Sequence, residues 1–394
     1  LYKHPILTKA LDLVKKFGCH VKEITFKDNS TKEMMSSLLE LCPNVESVSV
    51  SVSLLKMLKH DWITNKKYPE IMCIDSKENH LKKLSLPSSS SLMDVFLNYQ
   101  VKQFDVVGEA HGIASTRIKF FLKRQQNLEI LNVLGFGINL FKDEPRSAAL
   151  TDVPYKLKRL NLQNLRVGRE DYDNYCLFVN SHRDSLEHLT IREYNYPVSN
   201  PHDILSPFSD CRALKSVKLN RYVIRDSVVM EHVEKLEATH VIIDQDNLFF
   251  HEKFPNLTEL EVLQTSAGGI FDYGISHLQH LEKLTLARSD LRSCCCSTKP
   301  ILTTSNVKTL VLKSCELGRL ELVDLNRAIS HLHVIECVGA DDVIVELVMH
   351  PDTKLEVLNC CKMKLSVGCR KAIIQNASKI KEVSMVDVIY VSGI

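Results

Sequence analysis

Apolar residues recur along the chain in short bursts of one form, apolar-x-x-apolar-x-apolar. The clearest are Leu81, Leu84 and Leu86, then Leu157, Leu160 and Leu162, then Leu281, Leu284 and Leu286. The first apolar position falls at Val21, Val45, Leu81, Val101, Leu128, Leu157, Leu186, Leu214, Leu236, Leu257, Leu281, Val307, Ile329, Leu355 and Ile380, and most spacings lie between 20 and 29 residues. So short a pattern is common by chance, so the weight falls on its phase. The spacing is nearly even, the intervening positions are mostly polar, and lead-ins recur, as in CPNVESV at Cys42–Val48 and FPNLTEL at Phe254–Leu260. In an extended chain the fourth and sixth positions point to one side and the fifth to the other, so each burst predicts a short strand with one apolar face. Between bursts the apolar spacing turns helical. Over Thr31–Cys42, Thr31 can cap and Met34, Met35, Leu38, Leu39 and Leu41 form a stripe before Pro43; over Ile113–Arg124, Ile113, Ile118, Phe121 and Leu122 share a face.

One such unit cannot bury its own apolar side. Stacking many side by side does, which predicts a parallel sheet with the return segments on its covered face. The expected fold class is therefore α/β, a leucine-rich-repeat solenoid of the ribonuclease-inhibitor-like kind. Its strands should line a concave face, its helices a convex one, and its crossovers should be right-handed. Residues 1–20 read as a helix that joins or caps the array, and 21–394 as about fifteen irregular repeats. The 36 residues from Val45 to Leu81 are too many for one unit, which implies an insertion or degenerate repeat within 59–80, close to Trp62. Position nine of each unit turns the chain away from the strand and favours a small residue able to satisfy buried backbone; Asn29, Cys315 and Cys337 fall there, with Ser53, Ser89, Thr265 and Ser289 as partial substitutes.

Composition narrows the function classes. A net charge of +2 gives no bulk attraction to nucleic acid or to a membrane surface, and no apolar run approaches 18 residues. No secretory signal is visible. Thirteen cysteines, an odd number that includes the runs Cys294–Cys296 and Cys360–Cys361, read as reduced thiols in a cytoplasmic or nuclear protein. Consecutive cysteines lack the spacing of a zinc site. His331 and His333 flank Leu332 and should project together, but Thr309 and Val311 on one side and Val357 and Asn359 on the other do not complete a metal site. With no nucleophile elbow, phosphate loop or metal-ligand motif, the chain is expected to be no enzyme and to hold no cofactor and no metal.

Positions three, five and seven should project from the uncovered sheet face and write a grid of side chains across it. In mid-array that grid reads Arg159, Asn161 and Gln163, then His188, Thr190 and Arg192, then Ser216, Lys218 and Asn220, with Glu259 and Glu261 further on. Seventh positions turn apolar later, at Ile242, Leu263, Ala287, Ile335 and Val386. The expected ligand is a protein segment whose acidic groups meet Arg159, Arg192 and Lys218 and whose apolar residues lie toward the C-terminal repeats.

The long irregular repeats, their lead-ins, Cys315 and Cys337 at the turn, and the opening ALDLVKKFGCHVKEITF together resemble the repeat region of F-box/leucine-rich-repeat proteins. That resemblance implies a substrate receptor of a cullin-based E3 ubiquitin ligase, with the repeats holding the target. Binding of the Skp adaptor and cullin complex would require an F-box upstream of Leu1, since none lies in this sequence. A stand-alone repeat scaffold without a ligase role is the other open reading.

Overall fold

The structure, a computed structural model, describes residues 12–26, 32–50, 81–87, 96, 99–107, 113–134, 140–141, 150, 153–165, 167–193, 204–224, 228–243, 250–263, 275–288, 306–317 and 328–391. The chain divides into two compact units, Leu1–Ala213 and Leu214–Ile394. Each contains a parallel sheet built from the predicted bursts. In the first unit the strands are β1 (Glu23–Phe26), β2 (Ser47–Val50), β3 (Lys83–Pro87), β4 (Gln103–Val107), β5 (Ile130–Leu134), β6 (Arg159–Gln163) and β7 (His188–Arg192). They pair in sequence order, like position against like position.

The second unit carries β8 (Ser216–Asn220), β9 (Val223–Ile224), β10 (Lys235–Thr239), β11 (Ile242–Ile243), β12 (Glu259–Leu263), β13 (Lys283–Ala287), β14 (Thr309–Lys313), β15 (His331–Ile335), β16 (Val357–Cys361), β17 (Lys364–Ser366), β18 (Glu382–Val386) and β19 (Ile389–Val391). The main sheet here runs β8-β10-β12-β13-β14-β15-β16-β18. After the turn, β9 pairs with β11 and β17 with β19, a second small ladder between neighbouring repeats.

The apolar side is buried as the pattern requires. Leu84, Leu86, Leu131, Leu160, Leu162, Leu189, Leu219, Leu260, Leu284, Leu286, Leu310, Leu312 and Leu358 are at most 3% exposed. Each such leucine contributes about 2 kcal/mol by leaving water. Helices lie over this side: in Ile113–Arg124, Phe121 packs its ring 4.6 Å from that of Phe104 on β4, and Ile118 and Leu122 are fully buried beside it. The helix expected over Thr31–Cys42 spans Lys32–Leu41 and buries Met35 and Leu39. Residues 12–17 are helical, followed by a 3-10 turn at Gly18–His20.

One repeat phase needs correction. The burst assigned to Leu236 begins at Val233, because Lys235 pairs with Ser216 and Glu259, which makes Leu236 the fourth position. Val233, Leu236 and Ala238 are the inward residues, all nearly inaccessible. Ile242 is consequently not a seventh position but part of β11. A different correction applies at position nine. Leu165, Tyr222, Val241, Cys315, Cys337 and Met363 are all buried there, so the site is mainly an apolar peg. Cys315 donates its thiol across the repeat, to the Leu286 carbonyl at 3.2 Å. Asn29, Ser53, Ser89, Thr265, Ser289, Trp62, the 59–80 segment and Cys294–Cys296 lie outside the described residues.

The turn is made one residue earlier. Asn164, Arg221, His240, Arg288, Ser314, Glu336, Lys362 and Asp387 all have φ between 49° and 55°, and every one is position eight of its repeat. Left-handed backbone costs a non-glycine residue about 1 kcal/mol. In the first seven it aims the amide at the neighbouring strand: the N–H of Asn164 donates to the Arg192 carbonyl, that of Ser314 to Ile335 and that of Lys362 to Val386.

Candidate functional site

The uncovered sheet face is made of positions three, five and seven. In the first unit its fifth positions form a row of hydrogen-bonding groups: Thr25, Ser49, Ser85, Asp105, Asn132, Asn161 and Thr190. Thr25 and Ser49 share a hydrogen bond of 2.9 Å. Asp105 is buried at the row's centre and satisfied. Its Oδ1 accepts from Gln103 Nε2 at 2.9 Å and Asn132 Nδ2 at 2.6 Å, and Lys83 Nζ stands 3.5 Å from Oδ2. Beyond it, β5, β6 and β7 present Ile130, Asn132, Leu134, Arg159, Asn161, Gln163, His188, Thr190 and Arg192 without a carboxylate among them. Arg159 stands opposite His188 and Gln163 opposite Arg192. Arg159 and Arg192 are exposed; Asn161 and His188 are half-buried.

The expected residues of the second unit have a different setting. Lys218 contacts the carboxylate of Glu237, its register partner on β10. Glu259 stands between Lys235 at 3.1 Å and Lys283 at 3.6 Å, and the hydrogen bond from Lys235 holds its carboxyl below the usual range. Glu261 lies between Glu237 and Thr285, while Asn220 stands opposite Thr239. These charges are largely matched within the sheet. Among the later seventh positions Leu263 and Ile335 are half-buried and Val386 is 48% exposed, but Ala287 is buried and adds nothing to an apolar edge.

His331 and His333 do project side by side from β15, with Thr309, Val311, Val357 and Asn359 as the predicted neighbours. Burial, then the charge of His331, depresses the His333 pKa. No set of three or more His, Cys, Asp or Glu residues is placed to share a metal ion among the described residues. Nor is any helix among them long and apolar enough to cross a membrane. Burial pushes the thiols of Cys211, Cys360 and Cys369 up to about 12, which leaves them inert as nucleophiles at neutral pH.

Position two, which sequence reasoning passed over, carries a ladder of charge along the strand starts. Lys22 and Lys82 each reach Glu46 at 2.8 Å, drawing its carboxyl down to about 2. Lys158 approaches Glu129, Lys215 approaches Glu234, Lys308 meets Glu282 at 2.7 Å and Lys381 meets Glu356 at 2.9 Å. The recurrent asparagine of the lead-in also has a function. The Nδ2 of Asn44, Asn256 and Asn306 donates to the Cys19, Glu231 and Gln279 carbonyls of the preceding repeat. The signal was in the letters: opposite charges at one repeat position, and in several repeats an amide two residues before it.

Comparison with known proteins adds little to this geometry. No family model matches the chain. No curated protein matches it either. A similar solved structure is described as the crystal structure of mouse RP105/MD-1 complex; it shares 12% identity at a TM-score of 0.48, covering 94% of this chain and 59% of that one. The chain thus spans about 59% of the length of that neighbour.

Proposed function

We propose that the chain is a protein-recognition module whose ligand docks on the uncovered sheet face, with β5, β6 and β7 as its cationic part. The observation that carries this is that positions three, five and seven of β5, β6 and β7 bring Arg159, His188 and Arg192 to one face and include no Asp or Glu. A rigid sheet holds such side chains at about 5 Å per strand, so little ordering entropy is lost on binding. The partner segment carries Asp or Glu to meet Arg159 and Arg192, amide-bonding groups for Asn161 and apolar residues for Leu134. The double variant R159E/R192E, with its fold checked by circular dichroism, is expected to weaken capture of the native partner about tenfold or more. Undiminished capture would place the site elsewhere.

The narrower reading is a substrate receptor of a cullin-based ubiquitin ligase in the cytoplasm or nucleus. Its support is the sequence resemblance of the repeats and lead-ins to F-box/leucine-rich-repeat proteins. Purification of the full-length protein from its own cells tests this: the Skp adaptor should co-purify in stoichiometric amount. Its absence, with a partner still bound to the repeats, would favour a scaffold without ligase function.

A further inference from the structure

Five consecutive strand starts in the second unit, those of β13, β14, β15, β16 and β18, enclose a groove of about 710 Å³. It lies at the strand-start edge rather than on the uncovered sheet face, and three departures from the repeat rule create it. At β15 the ladder carries Ser330 where a charge is usual, and the residue just before position one is Ala328, so the floor is low. The residue just before position one is an amide that reaches a backbone carbonyl at Asn44, Asn256 and Asn306, but at the starts of β16 and β18 it is Lys354 and Lys379.

The groove's own carboxylates are already committed. Glu282 is bound by Lys308 at 2.7 Å and Glu356 by Lys381 at 2.9 Å, and that lysine keeps the Glu356 carboxyl ionised by lowering its pKa. No carboxylate lies within ion-pair distance of Lys354 or Lys379 among the described residues. The four lysines and two glutamates of the lining therefore leave a local excess of +2, as much as the whole chain carries. Lys354 and Lys379 precede neighbouring parallel strands, so their backbones are about 5 Å apart. That separation suits two acidic side chains of one extended segment, whose alternate residues repeat at about 6.6 Å.

We infer that this groove is a second docking site, for an acidic stretch of a partner protein that lays successive Asp or Glu side chains against Lys354 and Lys379. The matched pairs Glu282–Lys308 and Glu356–Lys381 wall it on either side. A basic segment is disfavoured, because both glutamates already have partners.

Fluorescently labelled hexaglutamate, followed by anisotropy, tests the site. The titration uses the R159E/R192E background, so the result does not depend on the sheet-face reading. Saturable binding is expected, weakening steeply as salt rises from about 0.05 M to about 0.5 M. K354E/K379E in the same background should lose about tenfold or more, and K354Q/K379Q, which perturbs the fold less, an intermediate amount. In parallel, hexaglutamate should protect Lys354 and Lys379 from amine acylation read by mass spectrometry, while Lys215 reacts unchanged. Equal binding after the double reversal, equal binding of hexalysine, or unprotected Lys354 and Lys379 would each overturn the proposal.

Discussion

At the scale of the residue, the array depends on groups whose only role is to close one repeat on the next. Ser314 turns the chain with φ at 51° and gives its amide to Ile335. Ser314→Gly should leave stability nearly unchanged. Ser314→Val, whose branched side chain resists left-handed backbone, should lower it by about 2 kcal/mol in chemical denaturation. Gly339 is stricter still: its φ is 74°, and a Cβ there would stand 2.1 Å from the Leu317 carbonyl oxygen. His182 is the buried titratable counterpart. It is 1% exposed, accepts from the Leu157 amide at 3.3 Å, stacks on Tyr155 and meets Phe178 edge-on. Desolvation, with a smaller push from Lys156, lowers its pKa to about 4. The folded protein therefore holds it neutral while an unfolded chain takes up a proton below about 6.5. Stability is fully present above that pH and declines by about 3 kcal/mol at most as pH falls toward about 4. His182→Gln, which keeps an acceptor for Leu157, should flatten that part of the pH profile; an unchanged slope would remove His182 as its cause.

At the scale of the element, most strand starts are tied to a neighbour by charge, and Thr258 leaves a rung of the ladder uncharged. Thr258 occupies position two between Glu234 and Glu282, where Glu46 shows that one charge can serve two neighbours of opposite sign. Thr258→Lys should raise stability by about 0.5 kcal/mol net of the lost hydrogen bond from its hydroxyl to the Glu234 carbonyl, and the gain should vanish near 1 M salt. A gain that persists in high salt would mean that it is not electrostatic. Gln125 ties the covered side in the same way: its Oε1 accepts from the Val101 amide at 2.9 Å and its Nε2 donates to the Tyr99 carbonyl at 2.9 Å, with no water access. Gln125→Ala should cost about 2 kcal/mol, since it leaves both backbone groups unsatisfied.

At the scale of the molecule, the legible part was what one repeat states by itself. Leu84 and Leu86 announce their strand because burial selects them regardless of neighbours. The start at Leu236 was misplaced because Ala238 is a weak apolar signal, and only pairing with Ser216 and Glu259 decides the phase. Position eight was invisible for a related reason. Arg221, Arg288, Glu336 and Lys362 are not residues that favour left-handed backbone, and the constraint comes from the hydrogen bond to the next strand. Arg159, Arg192 and Lys218 lie within strands β6, β7 and β8, but matching of Lys218 by Glu237 is a relation between repeats and needed the register. The groove beside Ser330 is likewise defined by five repeats at once.

The central claim is that recognition takes place on the uncovered sheet face of the first unit. Site-specific photo-crosslinking tests it most directly, with a benzophenone amino acid placed at Asn161 or Thr190 on that face and, in a second protein, at the exposed Phe120 of the helix Ile113–Arg124. In cells that contain the native partner, irradiation should yield one discrete adduct from positions 161 and 190 and none from 120, and R159E/R192E should abolish it. An adduct of the same mass from position 120, with none from 161 or 190, would put the partner on the helical side and contradict the account.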